Sequence, residues 1–423
     1  MSGDYRRLKQ VSHNFLRRIL RKPVWSFKRF VMDRRGRQGR RWSLAILMES
    51  LLDGYLSNRG SLRAVERLTE MSGRARIPDT TLYDFVSRFG KEEVAELRQQ
   101  LHAQVRSDWR SKSLTPVGVP CGVVAVDNKT VWSGSPEAAP AEAQVVHPPD
   151  QRPYAQLRMV RTVLISAASK PAIDQVVIRQ ETNECGMFAE VFGQLEADYG
   201  ALVEVYSGDA AFCSEANGRL VAKAGKGYIF GLKGNRRELW REATRVLGAE
   251  TVAVVTTPWE KYQGARVRYH LYRTTEMEGY LDWEHLKQVW RIEKERVRPQ
   301  SGRVERENRY YVTNLHLGRF KPEQIMQVVR AHWGIENNCN WTMDVIWDED
   351  TKVWCGQGVA IQALGLMRLM AYNLVALWRC RYFRRREEKQ QEKRSWQEFF
   401  DLMLQLLSGA GSDFSNLRVT AGL

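Results

Sequence analysis

From about residue 117 onward the chain is punctuated by short β-branched runs, at 123–126, 158–167, 173–179, 202–206 and 227–232. Helical text at 186–198 and 214–224 separates the later ones. Strands that alternate with helices in this way predict an α/β layer built on a mixed sheet. Between about 246 and 317 further strand-like runs follow without strong helical periodicity, at 252–255, 267–272, 289–292 and 310–312, which predicts a β-rich insertion. Helical periodicity returns at 322–346 and 359–383.

The text before the sheet is different. Residues 42–56 read as an apolar-rich helix, and 61–68 as a second one with Ser61 as its N-cap. Ile77-Pro78-Asp79 opens a third, and a fourth runs from 92 to about 107. Two short helices around a glycine-containing turn permit docking into DNA, but they are common packing units as well. Residues 133–153, with five prolines, read as a loop. The stretch 358–378 reaches membrane-spanning length, yet Gln362, Arg368 and Asn373 interrupt it, so a buried core helix is expected and no membrane partner. A charged stretch at 384–394 leads to a last amphipathic helix at 396–407.

The chain carries 65 Lys and Arg against 49 Asp and Glu, a net +16 that favours a polyanionic partner. The surplus is concentrated: residues 1–41 hold fourteen Lys or Arg, including Arg34, Arg35, Arg37, Arg40 and Arg41, against Asp4 and Asp33. Such an arm neutralises phosphates or serves as a solvated tail. Six cysteines with no C-x-x-C pair argue against zinc and a disulfide framework, and fit reduced thiols in a cytosolic protein.

Within this basic body three acids stand in telling contexts. Asp127 ends the run Val123-Val124-Ala125-Val126, Asp209 ends the run Val203-Glu204-Val205-Tyr206-Ser207-Gly208, and Glu336 lies in the helical text from Pro322 to Val345. Taken singly, an Asp after a strand is most often a turn former and a helical Glu is usually solvated. As an ordered set they suit divalent-metal phosphoryl transfer, because Mg²⁺ takes hard carboxylate oxygens and two such ions serve in-line displacement at a phosphodiester.

The segments Val-Val-Ala-Val-Asp127-Asn128-Lys129-Thr130, Tyr-Ser-Gly-Asp209, Gly-Leu-Lys233-Gly234-Asn235 and Arg330-Ala-His332-Trp333-Gly334-Ile335-Glu336-Asn337-Asn338 occur in this order. Together with Trp341-Thr-Met-Asp344-Val-Ile-Trp347, they resemble the DDE transposases of bacterial insertion sequences, of the H-repeat-associated, ISAs-type family. The likeness covers roughly residues 43–378. Two departures are Asn128, where the family has Gly, and the faint echo at 264–268 of the family's Gly-Arg-x-Glu element.

The resemblance implies an RNase H-like core interrupted by the β-rich insertion, with Asp127, Asp209 and Glu336 as catalytic metal ligands for Mg²⁺, Mn²⁺ substituting. It implies strand cleavage at the element's ends and strand transfer into target DNA, in the bacterial cytoplasm. The expected partners are terminal inverted repeats, target DNA and, since two ends are joined, a second copy of the chain or more. The corresponding layout is a basic arm over 1–42, a helical DNA-binding domain over 43–112, core halves over 113–245 and 318–383 around the insertion at 246–317, and a tail over 384–423. Rival readings are an inactive, domesticated transposase acting as a DNA-binding regulator, and an RNase H-like nuclease.

Supporting roles stay open. His332 stands one turn before Glu336 and either contacts a phosphate or is a satisfied core histidine; Arg330 is nearby. Asp344 is a secondary acid or a partner for Lys or Arg. Lys129, Lys233 and Asn235 are candidate DNA contacts, against the plain alternative of surface residues. Trp333 and Trp341 either hold a flipped base or pack in the core. The run Asp348-Glu349-Asp350 is expected to be a solvated helix end.

Overall fold

A computed structural model describes residues 41–408 except 74, 150, 249–250, 299–301, 352 and 388–394, together with 10, 14–16, 18–19, 25, 27 and 33–35; the side chains of 336–338 and 382–387 lie outside it. Four helices come first: α1 (Leu44–Leu56), α2 (Leu62–Met71), α3 (Asp79–Val86) and α4 (Lys91–Arg110). Hydroxyl caps start the first two. Ser43 Oγ accepts from the Ile46 N–H at 3.3 Å and Ser61 Oγ from the Ala64 N–H at 3.2 Å, each satisfying a donor that the first turn leaves open.

The sheet then begins with β1 (Val123–Gly134), β2 (Gln144–Val146), β3 (Tyr154–Leu164) and β4 (Ala172–Val177). After α5 (Glu184–Tyr199) come β5 (Val205–Gly208), α6 (Glu215–Lys223), β6 (Gly227–Leu232) and α7 (Arg237–Val246). β4 and β1 pair antiparallel with opposite edges of β3, while β5 pairs parallel with both β1 and β6. A parallel neighbour requires a crossover, and α5 and α6 supply them. The resulting order β4-β3-β1-β5-β6 is the RNase H-like arrangement.

Strands β7 (Val255–Thr256), β8 (Glu260–Tyr262), β9 (Ala265–Thr274), β10 (Gln288–Val297) and β11 (Val304–Thr313) form the β-rich stretch. They do not stand apart: β11 pairs antiparallel with β6, Tyr310 opposite Leu232, so one eleven-stranded sheet runs through both parts. The chain closes with α8 (Pro322–Gly334), a π-helical turn over Ile335–Asn340, α9 (Trp341–Trp347), α10 (Gly358–Glu387) and α11 (Trp396–Leu407).

Helix α10 is long and apolar enough to cross a membrane, but most of it is buried inside the chain, against α4, α1 and β4. Two of its polar residues have partners there. Asn373 accepts from the Ala172 N–H at 2.9 Å and donates to the Ala172 carbonyl at 2.8 Å, which knits the helix to β4. The Arg368 guanidinium lies 5.1 Å from the centre of the Tyr55 ring on α1.

The N-terminal arm differs from a free basic tail. Phe15, Leu16, Ile19, Trp25 and Phe27 are buried in the same core as the helices. Arg35 is buried too, donating to Asp33 at 2.8 Å and lying over Phe85, while Arg34 pairs with Glu92 and Glu93. The apolar residues spaced among the arm's cations draw it onto the helices, where carboxylates and a ring take up these two guanidinium groups. Arg41 lies over the Trp42 ring at 5.4 Å, and Arg37 and Arg40 fall outside the described residues.

Candidate active site

Strand register brings the two aspartates together. Val126 on β1 pairs with Gly208 at the end of β5, so Asp127 and Asp209 are each the next residue beyond the last parallel pair. β1 itself runs on to Gly134 against β3 alone, which leaves its other edge open beside Asp127. Asp209 leaves the sheet in an Asx turn, its Oδ1 accepting from the Ala211 N–H at 2.9 Å. Asn235 Nδ2 holds that turn by donating to the Ala210 carbonyl at 2.9 Å. Gly231 on β6 lets the turn approach closely, since a Cβ at that position would stand only 3.0 Å from the Ala210 nitrogen.

A cavity of about 470 Å³ opens in front of this pair. Asp127, Asp209 and Lys233 line it from the sheet, and His332, Trp333 and Ile335 from the end of α8. The Asp209 carboxyl takes a proton more readily than usual. Burial raises its pKa and Glu184 adds to that, against the Ala211 N–H and the charge of Lys233. Lys233 is exposed at the cavity wall, whereas Trp333 is held: its Nε1 donates to the Tyr311 hydroxyl at 2.9 Å and the Arg309 guanidinium lies 4.6 Å from its ring centre.

His332 is buried, with Nδ1 3.1 Å from Ser207 Oγ on β5, and burial, assisted by the charge of Arg309, pushes its pKa down to about 4. It is therefore neutral near pH 7 and ties α8 to the strand that leads to Asp209. The unfolded chain protonates this residue near pH 6.5 and the folded chain only near 4, so stability is full above 6.5 and declines as pH falls. Between pH 7 and 5 the expected loss from this residue is about 2 kcal/mol. Urea unfolding at the two pH values should show it, and His332→Gln should remove it.

Glu336 lies in the π-helical turn between α8 and α9, a distortion of the continuous helix expected over 322–346 and one that often accompanies function. The backbone of the turn follows Ile335 at the cavity wall; the Glu336 side chain lies outside the described residues. The last residue of the turn, Asn340, is buried and donates from Nδ2 to Asp127 Oδ2 at 3.1 Å. Among the described residues no group of three or more His, Cys, Asp or Glu is placed to hold a metal ion, and that set excludes the Glu336 carboxylate.

Other expected residues sit elsewhere. Arg330 points away from the aspartates: its two terminal nitrogens donate to the Glu260 carboxylate on β8 at 2.9 and 2.6 Å, and its guanidinium covers Tyr269. A bidentate carboxylate takes up the charge that was expected to support Glu336. Lys129 is paired with Asp344, so in the structure this acid stands as an ion-pair partner. Burial raises the Asp344 pKa and Lys129 opposes the rise. Trp341 is 47% exposed, which excludes core packing for it.

Glu349 is the largest departure. Expected in a solvated helix end, it is 1% exposed and both of its carboxylate oxygens lie 2.8 Å from the donor Arg161 Nη2, with Arg368 at 3.4 Å. Asp348 just before it takes the left-handed conformation, φ 48°, that ends α9 and turns Glu349 inward. Burial opposes ionisation of Glu349, but Arg161 and Arg368 hold its carboxyl below the usual range. Arg161 is itself fully buried on β3, directly opposite Asp127, and donates to Asn340 Oδ1 at 3.0 Å. A lone arginine in the strand text Met159-Val160-Arg161-Thr162-Val163 was the legible signal, since a buried guanidinium needs a carboxylate somewhere.

Comparison with known families places the chain. A family model described as the transposase DDE domain matches residues 147–374, more than half of the chain. The chain belongs to this family. The matched span contains Asp209 and Glu336 of this DDE transposase, and Asp127 on β1 precedes it. Among solved structures the transposase is similar to piggyBac transposase in a cryo-EM structure of its synaptic complex with hairpin DNA. The two share 10% identity with a TM-score of 0.43, over 97% of this chain and 81% of that one. No curated protein matches it.

Proposed function

We propose that this DDE transposase cleaves DNA at the ends of its own mobile element with water and then joins the freed 3′-hydroxyl to target DNA, as a two-metal-ion phosphoryl transferase. The observation that carries the reading is the convergence of Asp127 and Asp209 at one cavity through the β1–β5 register. Asp127, Asp209 and Glu336 would hold Mg²⁺, with Mn²⁺ as a substitute. Carboxylates suit such hard cations, and the raised proton affinity of Asp209 is what a nearby cation would reverse. Bound there, the ions would activate the attacking oxygen and stabilise the leaving one.

The protein's own groups do the rest. Lys233, exposed at the cavity wall, neutralises a backbone phosphate. Asn235 acts by fixing the Asp209 turn rather than by touching DNA. Trp333, braced by Tyr311 and Arg309, presents an apolar face to a nucleotide at the cavity. The helical domain over 43–112, the arm over 1–42 and the insertion over 246–317 grip the terminal repeats, around core halves over 113–245 and 318–383 and ahead of the tail over 384–423. Within this reading the chain is of the H-repeat-associated, ISAs-type subfamily, works in a bacterial cytoplasm, and acts on DNA as a dimer or larger assembly because two ends are joined.

The test is incubation with Mg²⁺ and a duplex carrying the DNA that borders the gene. Nicks bearing 3′-hydroxyls and joined products are expected. Cutting without joining would make it a nuclease, and no reaction in Mg²⁺ or Mn²⁺ would contradict the reading. Binding to that duplex should weaken by about 10³-fold or more between 50 and 200 mM salt if about 6 to 10 phosphates are contacted. A flat salt response, measured by fluorescence anisotropy, would remove the basic surface from the binding role.

A further inference from the structure

Behind Asp127 lies a closed polar chain that the reaction itself does not use. Asp127 Oδ1 accepts from the Asn128 N–H at 2.9 Å and Oδ2 from Asn340 Nδ2 at 3.1 Å, so the carboxylate plane is held from two directions. Asn340 Oδ1 accepts from Arg161 Nη1 at 3.0 Å. Arginine has donors only, so this contact fixes which end of the amide faces which neighbour, and the N–H₂ end is directed at Asp127. Arg161 is held in turn by Gln175 Oε1, at 2.9 Å from Nε and 2.7 Å from Nη2, and by both oxygens of Glu349.

The chain joins elements that must keep a set separation. Arg161 stands on β3 directly opposite Asp127 on β1, Asn340 closes the π-helical turn that contains Glu336, and Glu349 follows α9. We infer that Arg161, Glu349 and Asn340 are positioning residues that fix the Asp127 carboxylate and the far end of the Glu336 turn relative to each other, so that a divalent cation meets a preset site. This rests on the proposed metal-holding role of Asp127 and Glu336. The energetics favour positioning over bulk stability. A buried ion pair is commonly matched or exceeded in stability by apolar side chains of similar size, whereas outer partners of metal-binding carboxylates set affinity and activity.

The test uses Asn340→Ala in the full chain, which leaves the Arg161–Glu349 pair in place, with Asn340→Ser as a second variant should the first fail to fold. Mn²⁺ affinity is read by electron spin resonance without DNA, and Mn²⁺-dependent cleavage and DNA affinity are read separately. Half-saturation for Mn²⁺ is expected to rise about 10- to 100-fold in both metal readouts. Thermal unfolding in metal-free buffer should fall only by what one lost buried hydrogen bond costs, since Arg161 Nη1 loses its acceptor while Gln175 and Glu349 still hold the guanidinium, and DNA affinity should stay close to wild type. A purely structural role would lower the unfolding temperature and leave the Mn²⁺ dependence where it was. Wild-type protein that neither binds Mn²⁺ nor cleaves would overturn the functional reading itself; wild-type cleavage with unchanged Mn²⁺ dependence in a folded Asn340 variant would overturn the positioning role alone.

Discussion

Asp209→Asn lowers strand cleavage by at least about 10³-fold, which is about 4 kcal/mol of barrier, and leaves DNA affinity nearly unchanged. The asparagine keeps the size of the side chain and an oxygen to accept from the Ala211 N–H, so the turn that leaves β5 stays intact. What it loses is the negative charge that lines the cavity together with Asp127. In the proposed function DNA affinity would rest instead on cations such as Lys233 and on the basic surface, which the substitution does not touch. Cleavage gels and anisotropy binding on the same preparation check both halves. Retained Mg²⁺-dependent cleavage would refute Asp209 as a ligand.

Glu349→Ala is expected to cost about 3–5 kcal/mol of stability, because it strands two buried guanidinium groups, Arg161 and Arg368, without their carboxylate. The Glu349 carboxyl is held below its ordinary pKa, so its contribution is present above the unfolded value and fades as pH drops through the folded one. The triple replacement Arg161→Met, Glu349→Leu and Arg368→Met should restore most of the loss, since no unpaired charge remains. Cleavage should not return with it, because Asn340 then has no donor to orient its amide. Urea unfolding follows the first quantity and nick formation the second. A loss under about 1 kcal/mol in the single variant would mean that water reaches this cluster.

The sequence was most legible where local pattern and tertiary environment agree. The β-branched runs at 123–126 and 227–232 became buried strands, and Ser61 caps its helix as its position before an apolar run suggests. Helix α7 went unread because half of its text is charged and its buried residues reduce to Leu239 and Ala243, four residues apart. The union of β11 with β6 could not be read either, since register between strands some eighty residues apart leaves no local mark. At the site, the strand text already set Asp127 and Asp209 at strand ends, which the structure brings to one cavity, while the partners of charged residues were not legible. Nothing near Arg330 in sequence announces Glu260, and Glu349 in an acidic run looks solvated until Arg161, distant in the chain, is seen beside it.

The account stands most directly on one diffraction experiment, the anomalous difference map of crystals of the full chain grown with Mn²⁺. It predicts a peak about 2.1 Å from carboxylate oxygens of both Asp127 and Asp209, with Glu336 completing the same centre. Strong density elsewhere in a well-ordered crystal, with none shared by Asp127 and Asp209, would contradict it.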